Sequence, residues 1–241
     1  MTRVLVTGSS GAVGRPVCRE LVRRGHQVRG LDRVPAPGID DQVIGDIADA
    51  STVREAMRDV RAVIHLAAQP VDAEFSLLVG PNVIGLQQVM SAAREAAVRR
   101  VVLASSIQVL GRRPPGSGPA RVDEAGPSNH YGLTKRWAEQ MGEMYARCHG
   151  MSVIAVRIGW LVRNLAEAER MRQLDLPDIY LSHRDAGRLF ASAVEAEVAG
   201  FAVVYGASRG AERVYDMEPT RRLLGYEALD RWPEGLDFPL P

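Results

Sequence analysis

The sequence predicts an α/β fold: a doubly wound parallel sheet with a small C-terminal cap for substrate. Two observations predict it. Short β-branched runs alternate with helical patterns through the first two thirds of the chain. A glycine-rich turn, TGSSGAVG at 7–14, follows the first run and opens the first helix.

Val4–Thr7, Gln27–Leu31, Ala62–Leu66 and Arg100–Ala104 are short β-branched runs that read as buried parallel strands. Ala12–Arg24, Thr52–Asp59 and Asn82–Ala97 carry helical periodicity between them. Tyr131–Arg147 is a long helical pattern, and MSVIAVRIG after it reads as a further strand. The stretch GRRPPGSGPARVDEAGPSNH is rich in Pro and Gly and reads as a surface loop. It lies at the carboxyl end of a strand, where such sheets bind ligands. Beyond Gly159 the pattern is less regular, with a helix around Ser182–Glu197 and a short strand at Phe201–Tyr205. The whole of 1–241 therefore reads as one domain. Residues 1–159 mainly hold a cofactor, and 160–241 mainly form the substrate cap and closing elements.

Thirty Lys and Arg stand against 29 Asp and Glu, a formal net charge of +1, so composition directs the chain to neither nucleic acid nor a membrane surface. The longest apolar runs, such as AVIHLAA, are too short to span a bilayer. Cys18 and Cys148 lack metal-ligand spacing and are expected to be reduced packing residues. RVLVTG runs straight into a strand and leaves no room for a signal peptide. The expectation is a cytoplasmic protein without a metal, whose partner is a small molecule.

The turn spaces Gly8, Gly11 and Gly14 as G-x-x-G-x-x-G. Glycines there permit a tight turn and close backbone approach to a pyrophosphate, while backbone N–H groups and the helix dipole meet its charge. Gly8, Ser10, Gly11, Ala12, Val13 and Gly14 are the expected contacts. Asp32 closes the second strand, where a carboxylate binds the adenosine ribose hydroxyls. A carboxylate repels a 2′-phosphate, so NAD is expected over NADP; Arg33 could host that phosphate only if Asp32 turned away. In GDIAD (45–49) Asp46 is placed to reach the adenine and Ile47 to pack on it, the alternative for Asp46 being a helix-start turn.

Tyr131 and Lys135 are four residues apart, hence on one face near the start of a helix. Alone, such a pair reads as a solvated surface pair. Beside a cofactor loop it becomes chemistry, because an ammonium stabilises a phenolate and lowers a phenol pKa from its ordinary value of about 10. Tyr131 then serves as a base, and Ser106 holds the same substrate oxygen.

In TGSSGAVG (7–14), Asp32, Asp46, HLAA (65–68), Asn82, ASS (104–106) and Tyr131–Lys135, the chain resembles the extended short-chain dehydrogenase/reductases, the NAD-dependent epimerase/dehydratase group. The resemblance implies a Rossmann fold, with Ser106 as the catalytic serine and Lys135 also on the nicotinamide ribose. It adds Leu66, Ala67, Ala68, Asn82 and Ile158 to the cofactor contacts and makes His65 a structural strand-end residue. It further implies a homodimer through the helix bearing the tyrosine, where Trp137, Met141 and Met144 could serve either the interface or the core.

Dehydratases of the group follow the catalytic hydroxyl with an Asp–Glu pair; here Ile107 and Gln108 stand there, so dehydration is not expected. The chain length leaves little room for the nucleotide diphosphate of a sugar-nucleotide epimerase. VRIG (156–159), Arg170–Met171, SHRD (182–185), VVYGAS (203–208) and LGY (224–226) resemble the uronate dehydrogenases. That group places polar residues where this chain has Pro70, Ile107, Gln108 and Trp160. These four and Arg170 are the expected substrate contacts, Arg170 meeting a carboxylate or lying on the surface. The expected activity is NAD-dependent oxidation of a secondary alcohol or hemiacetal of a small sugar or sugar acid. The alternatives are a sugar epimerase and a catalytically silent NAD-binding regulator.

Overall fold

The structure, a computed structural model, describes residues 2–114 and 116–239. Seven parallel strands form one sheet: β1 (Arg3–Thr7), β2 (Gln27–Asp32), β3 (Asp41–Ile44), β4 (Ala62–His65), β5 (Arg100–Ser106), β6 (Ser152–Ile158) and β7 (Phe201–Gly206). Their order across the sheet is β3-β2-β1-β4-β5-β6-β7. The chain therefore winds outward from β1 to one edge, returns to pair Val4 with Ala62, and winds to the other edge. The reversal between β1 and β4 opens a crevice at the carboxyl ends of the strands.

Alternation along each strand builds two cores. Val4 and Val6 face one side, packing with Val17 and Leu21 of α1 (Gly14–Arg23) and Leu189 and Phe190 of α7 (His183–Glu195). Leu5 faces the other, packing with Val53 of α2 (Ala50–Ala56), Leu86 and Val89 of α4 (Leu86–Glu95), and Ala138 of α5 (His130–His149). Each such side chain, fully buried, contributes roughly 1.5–3 kcal/mol. Cys18 belongs to the first core, but Cys148 is exposed and packs against nothing of the interior, contrary to expectation.

Three local differences from the sequence reading have physical causes. Strand β3 was not foreseen, because DQVI is short, half polar and lies at the sheet edge with Ile44 exposed. The helix expected over Asn82–Ala97 is a composite: α3 (Phe75–Leu78), a π-helical stretch over Val79–Gly85, then α4. Pro81 lies in that stretch and has no N–H for regular helical bonding; the widened turn buries Asn82. Strand β5 continues to Ser106, so both serines sit on the sheet.

Beyond Gly159, α7 lies in the α1 layer and β7 forms an edge of the sheet. Over the crevice stands α6 (Leu165–Gln173), capped by the Asn164 side chain, which accepts from the Glu167 N–H. The C-terminal strap, residues 227–239 after α8 (Glu218–Leu224), braces it from behind: Trp232, Leu236 and Phe238 pack with Tyr180, Met171, Val162 and Trp160. Buried Asp230 anchors the strap by accepting from Ser182 Oγ at 2.5 Å and Arg184 Nη2 at 2.6 Å, and Asp237 pairs with Arg19 at 2.6 Å. Among the described residues, no helix is long and apolar enough to cross a membrane and no cluster of ligating side chains could hold a metal.

Candidate active site

A cleft of about 880 Å³ runs along the carboxyl ends of the strands. Its first half is backbone. Gly8 has φ +72°, and a Cβ there would meet the Ala67 nitrogen at 2.7 Å; at Gly14 it would meet the Gly8 oxygen at 2.0 Å. Only glycine lets this turn close on itself. Helix α1 then starts with no side-chain cap, its N-terminus toward the cleft. Asp32 is fixed at the rim, Oδ2 accepting from Ser10 N at 3.0 Å and Oδ1 from Arg33 N at 2.7 Å.

Gly8, Gly11, Ala12, Val13, Gly14, Asp32, Arg33, Asp46 and Ile47 all line the cleft. Ser10 lies outside the lining; it braces Asp32 through its N–H, and its hydroxyl donates to the Val34 carbonyl at 2.7 Å. Asp46 Oδ1 accepts from Ala48 N at 2.8 Å, which makes it part of a local turn as well as a wall. An open helix start, a glycine cradle and a fixed carboxylate together fit a dinucleotide.

Across the reversal, Leu66, Ala67 and Ala68 line the cleft. The Thr7 hydroxyl orders them, accepting from Leu66 N and Ala67 N at 3.2 Å and donating to His65 Nδ1 at 2.8 Å. Burial, with the Lys135 charge adding to it, pushes His65 down to about 3, so it is a neutral structural group. Asn82 lies behind the wall: Oδ1 accepts from Gln69 N at 2.7 Å, and Nδ2 donates to the Gln69 carbonyl and to Thr134 Oγ1. It ties the loop after β4 to α5.

Ser106 ends β5, and Tyr131 and Lys135 share one face of α5; Ser106 and Tyr131 line the cleft, while Lys135 lies behind the tyrosine. Burial pushes the Tyr131 phenol up to about 12, against hydrogen bonding from Ser106 and the Arg163 charge. Burial also pulls Lys135 down to about 8. The expected lowering of the phenol by the ammonium is therefore not seen, because desolvation of both groups wins.

The start of α5 is held by groups the sequence did not mark. Tyr131 N donates to Asp72 Oδ1 at 3.1 Å, and Gly132 N to Asn129 Oδ1 at 2.7 Å. The second bond fixes which way the Asn129 amide points, so its Nδ2 donates to Gln108 Oε1 at 2.7 Å. The Nε2 donor of Gln108 is thereby left over, on a residue that lines the cleft. Ser105 is a structural tie: its hydroxyl donates to Glu139 Oε1 at 2.6 Å. Glu139 in turn forms a fully buried bidentate pair with Arg157, at 2.7 and 2.9 Å.

The far end of the cleft is lined by Pro70, Ile107, Gln108, Ile158 and Trp160, and by Arg163, Glu167 and Arg170 at and along α6. All five expected substrate contacts are thus brought together there. Arg163 and Glu167 were missed, because an Arg–Glu pair at i,i+4 reads as a surface pair. Glu167 and Arg170 share a face of α6, and Arg163 stands just before its N-cap. Glu167 accepts from Arg163 Nε at 2.8 Å and from Arg163 N at 2.9 Å. Burial alone would raise this carboxyl, but Arg163 and the neighbouring Trp160 indole N–H hold it below its ordinary range.

Residues 4–163 match the NAD dependent epimerase/dehydratase family. The chain belongs to that family. An NAD-dependent glucose-6-phosphate dehydrogenase of Haloferax volcanii is 34% identical over 252 residues, covering 96% of this chain and 94% of that protein. A uronate dehydrogenase of Pseudomonas syringae is 30% identical over 86% of this chain and 74% of its own length. The crystal structure of uronate dehydrogenase from Agrobacterium tumefaciens superimposes with a TM-score of 0.82 at 30% identity, over 95% of this chain and 85% of that one; a point mutant of that enzyme complexed with NAD matches equally well.

Proposed function

We propose that this member of the family is an NAD-dependent dehydrogenase that oxidises a secondary alcohol or hemiacetal of a small sugar or sugar acid. One observation carries the reading: a carboxylate fixed for a ribose, Asp32, and a Ser106–Tyr131 pair for a substrate hydroxyl stand at opposite ends of one cleft. Relatives named for uronate and glucose-6-phosphate support a small sugar. Ile107 and Gln108, which supply no proton, stand where a dehydratase would need its acid and base.

In this reading Gly8, Gly11–Gly14, Asp32 and Leu66–Ala68 hold NAD, and Asn82 positions the loop beside it. Bound NAD supplies the hydride acceptor and a positive charge. Ser106 holds the substrate hydroxyl, and Tyr131 Oη takes its proton as the C–H electron pair leaves. Lys135 steadies, from behind, the phenolate that accepts this proton and returns to a phenol. Residues 1–159 serve mainly the cofactor, and 160–241 supply the substrate wall and closing elements.

A homodimer through α4 and α5 is part of the reading, supported by exposed Leu133 and Met144 on α5 and exposed Ile84 in the π-helical stretch leading into α4; Trp137 and Met141 are half-buried against the core. Cytoplasmic placement rests on the two free cysteines. The test is NADH formation from NAD with a panel of aldoses, uronates and sugar phosphates. Turnover on any of them is expected; silence on all, with NAD demonstrably bound, overturns the reading.

A further inference from the structure

The substrate half of the cleft is poor in groups that bind hydroxyls and rich in guanidinium. Ile107, Pro70, Leu161, Ile179 and Trp160 give it an apolar wall. Its charged lining residues are Arg163, Glu167 and Arg170, because Asp32, Arg33 and Asp46 belong to the opposite half. Glu167 is spent within the protein, engaged by the backbone N–H, Nε and Nη2 of Arg163. These bonds leave Arg163 Nη1 with two free donors. Arg172 pairs with Glu169 and Arg163 with Glu167, so among the described residues Arg170 has no carboxylate partner. Two guanidiniums therefore share one cleft wall, and the carboxylate between them is already satisfied.

We propose that the substrate is a sugar phosphate whose phosphate monoester is held jointly by Arg163 and Arg170. The proposal rests on the dehydrogenase reading and names the substrate class within it. One guanidinium fork satisfies one carboxylate, whereas a phosphate dianion presents three oxygens and can take the Nη1 donors of Arg163 together with the fork of Arg170. Glu167 is a positioning residue: it aims Arg163 and steadies Trp160 without touching the ligand.

The test compares kcat/KM for glucose 6-phosphate, glucuronate and glucose as probes. The phosphate ester is expected to lead both others by about ten-fold or more, the scale of one charge-assisted hydrogen bond. Arg163→Gln should raise its KM about ten-fold or more with little change in kcat, and Arg163→Lys should restore part of the loss. Glu167→Gln should raise the same KM through a misplaced Arg163. Inorganic phosphate, titrated into the NAD-bound enzyme, should change the tryptophan fluorescence, and Arg163→Gln should abolish that change. Equal or better use of glucuronate or of glucose, or phosphate binding unaltered in Arg163→Gln, overturns the proposal. If no sugar yields NADH the dehydrogenase reading falls, and the phosphate titration still decides the clamp.

Discussion

The Lys135 ammonium stands 5.6 Å from the centroid of the Tyr131 ring and donates to the Ala104 carbonyl at 2.9 Å. The lysine is thus committed to the end of β5, close to the ring of a phenol that burial pushes up to about 12. Tyr131→Phe should then lower kcat by about 10²–10⁴-fold, the usual share of a general base, while thermal stability and NAD binding persist. Retention of most of the turnover would remove Tyr131 from the chemistry.

Asp32 should decide the cofactor. Its carboxylate is held by two backbone N–H groups at the end of β2. Asp32→Ala should weaken NAD binding by about ten-fold or more, the scale of charged hydrogen bonds, and improve NADP relative to NAD through the adjacent Arg33. Titration of both cofactors measures the ratio; an unchanged ratio counts against the role.

His65 should make the protein acid-sensitive. Its folded pKa of about 3 lies below its ordinary value of 6.5, so on acidification the unfolded chain takes the proton first. Its contribution is complete above about pH 6.5 and drains away as pH falls toward about 3, by at most about 5 kcal/mol. His65→Asn keeps an acceptor for Thr7 and should flatten the difference between denaturation midpoints at about pH 7 and about pH 5. Identical pH dependence in the two proteins would show that His65 is not responsible.

The Glu139–Arg157 pair should tolerate loss of both charges better than loss of one. Removing one partner of a buried pair strands the other charge and costs about 3–5 kcal/mol. Glu139→Gln and Arg157→Met should each lower Tm clearly, and the double variant by less than the sum. Additive losses would mean the two act independently.

Much of this was legible in the sequence because backbone motifs report directly on geometry. TGSSGAVG demands a turn that only glycines can close, and a carboxylate at the end of β2 has one obvious use. Tyr131 and Lys135 announce a shared helix face by spacing alone. What spacing does not carry is desolvation: the same four-residue step hid the fact that both groups are buried and shifted away from each other's help. Asp72 and Asn129 went unmarked because their partners are backbone N–H groups at the start of α5, brought near by tertiary structure in the case of Asp72. Arg163 and Glu167 were hidden differently, since a salt bridge at four-residue spacing looks the same whether it faces solvent or a ligand.

The strap bears on how such enzymes diverge. Trp232, Leu236 and Phe238 press on the same cluster that shapes the wall carrying Arg163 and Arg170, and Trp160 and Tyr180 bridge the two. A graft that moved only the loop and α6 from a relative would set new side chains on an unmatched backing. Residues 160–173, Tyr180 and 227–239, distant in the chain, share one packed cluster, so a change of substrate wall should need matching changes in its backing.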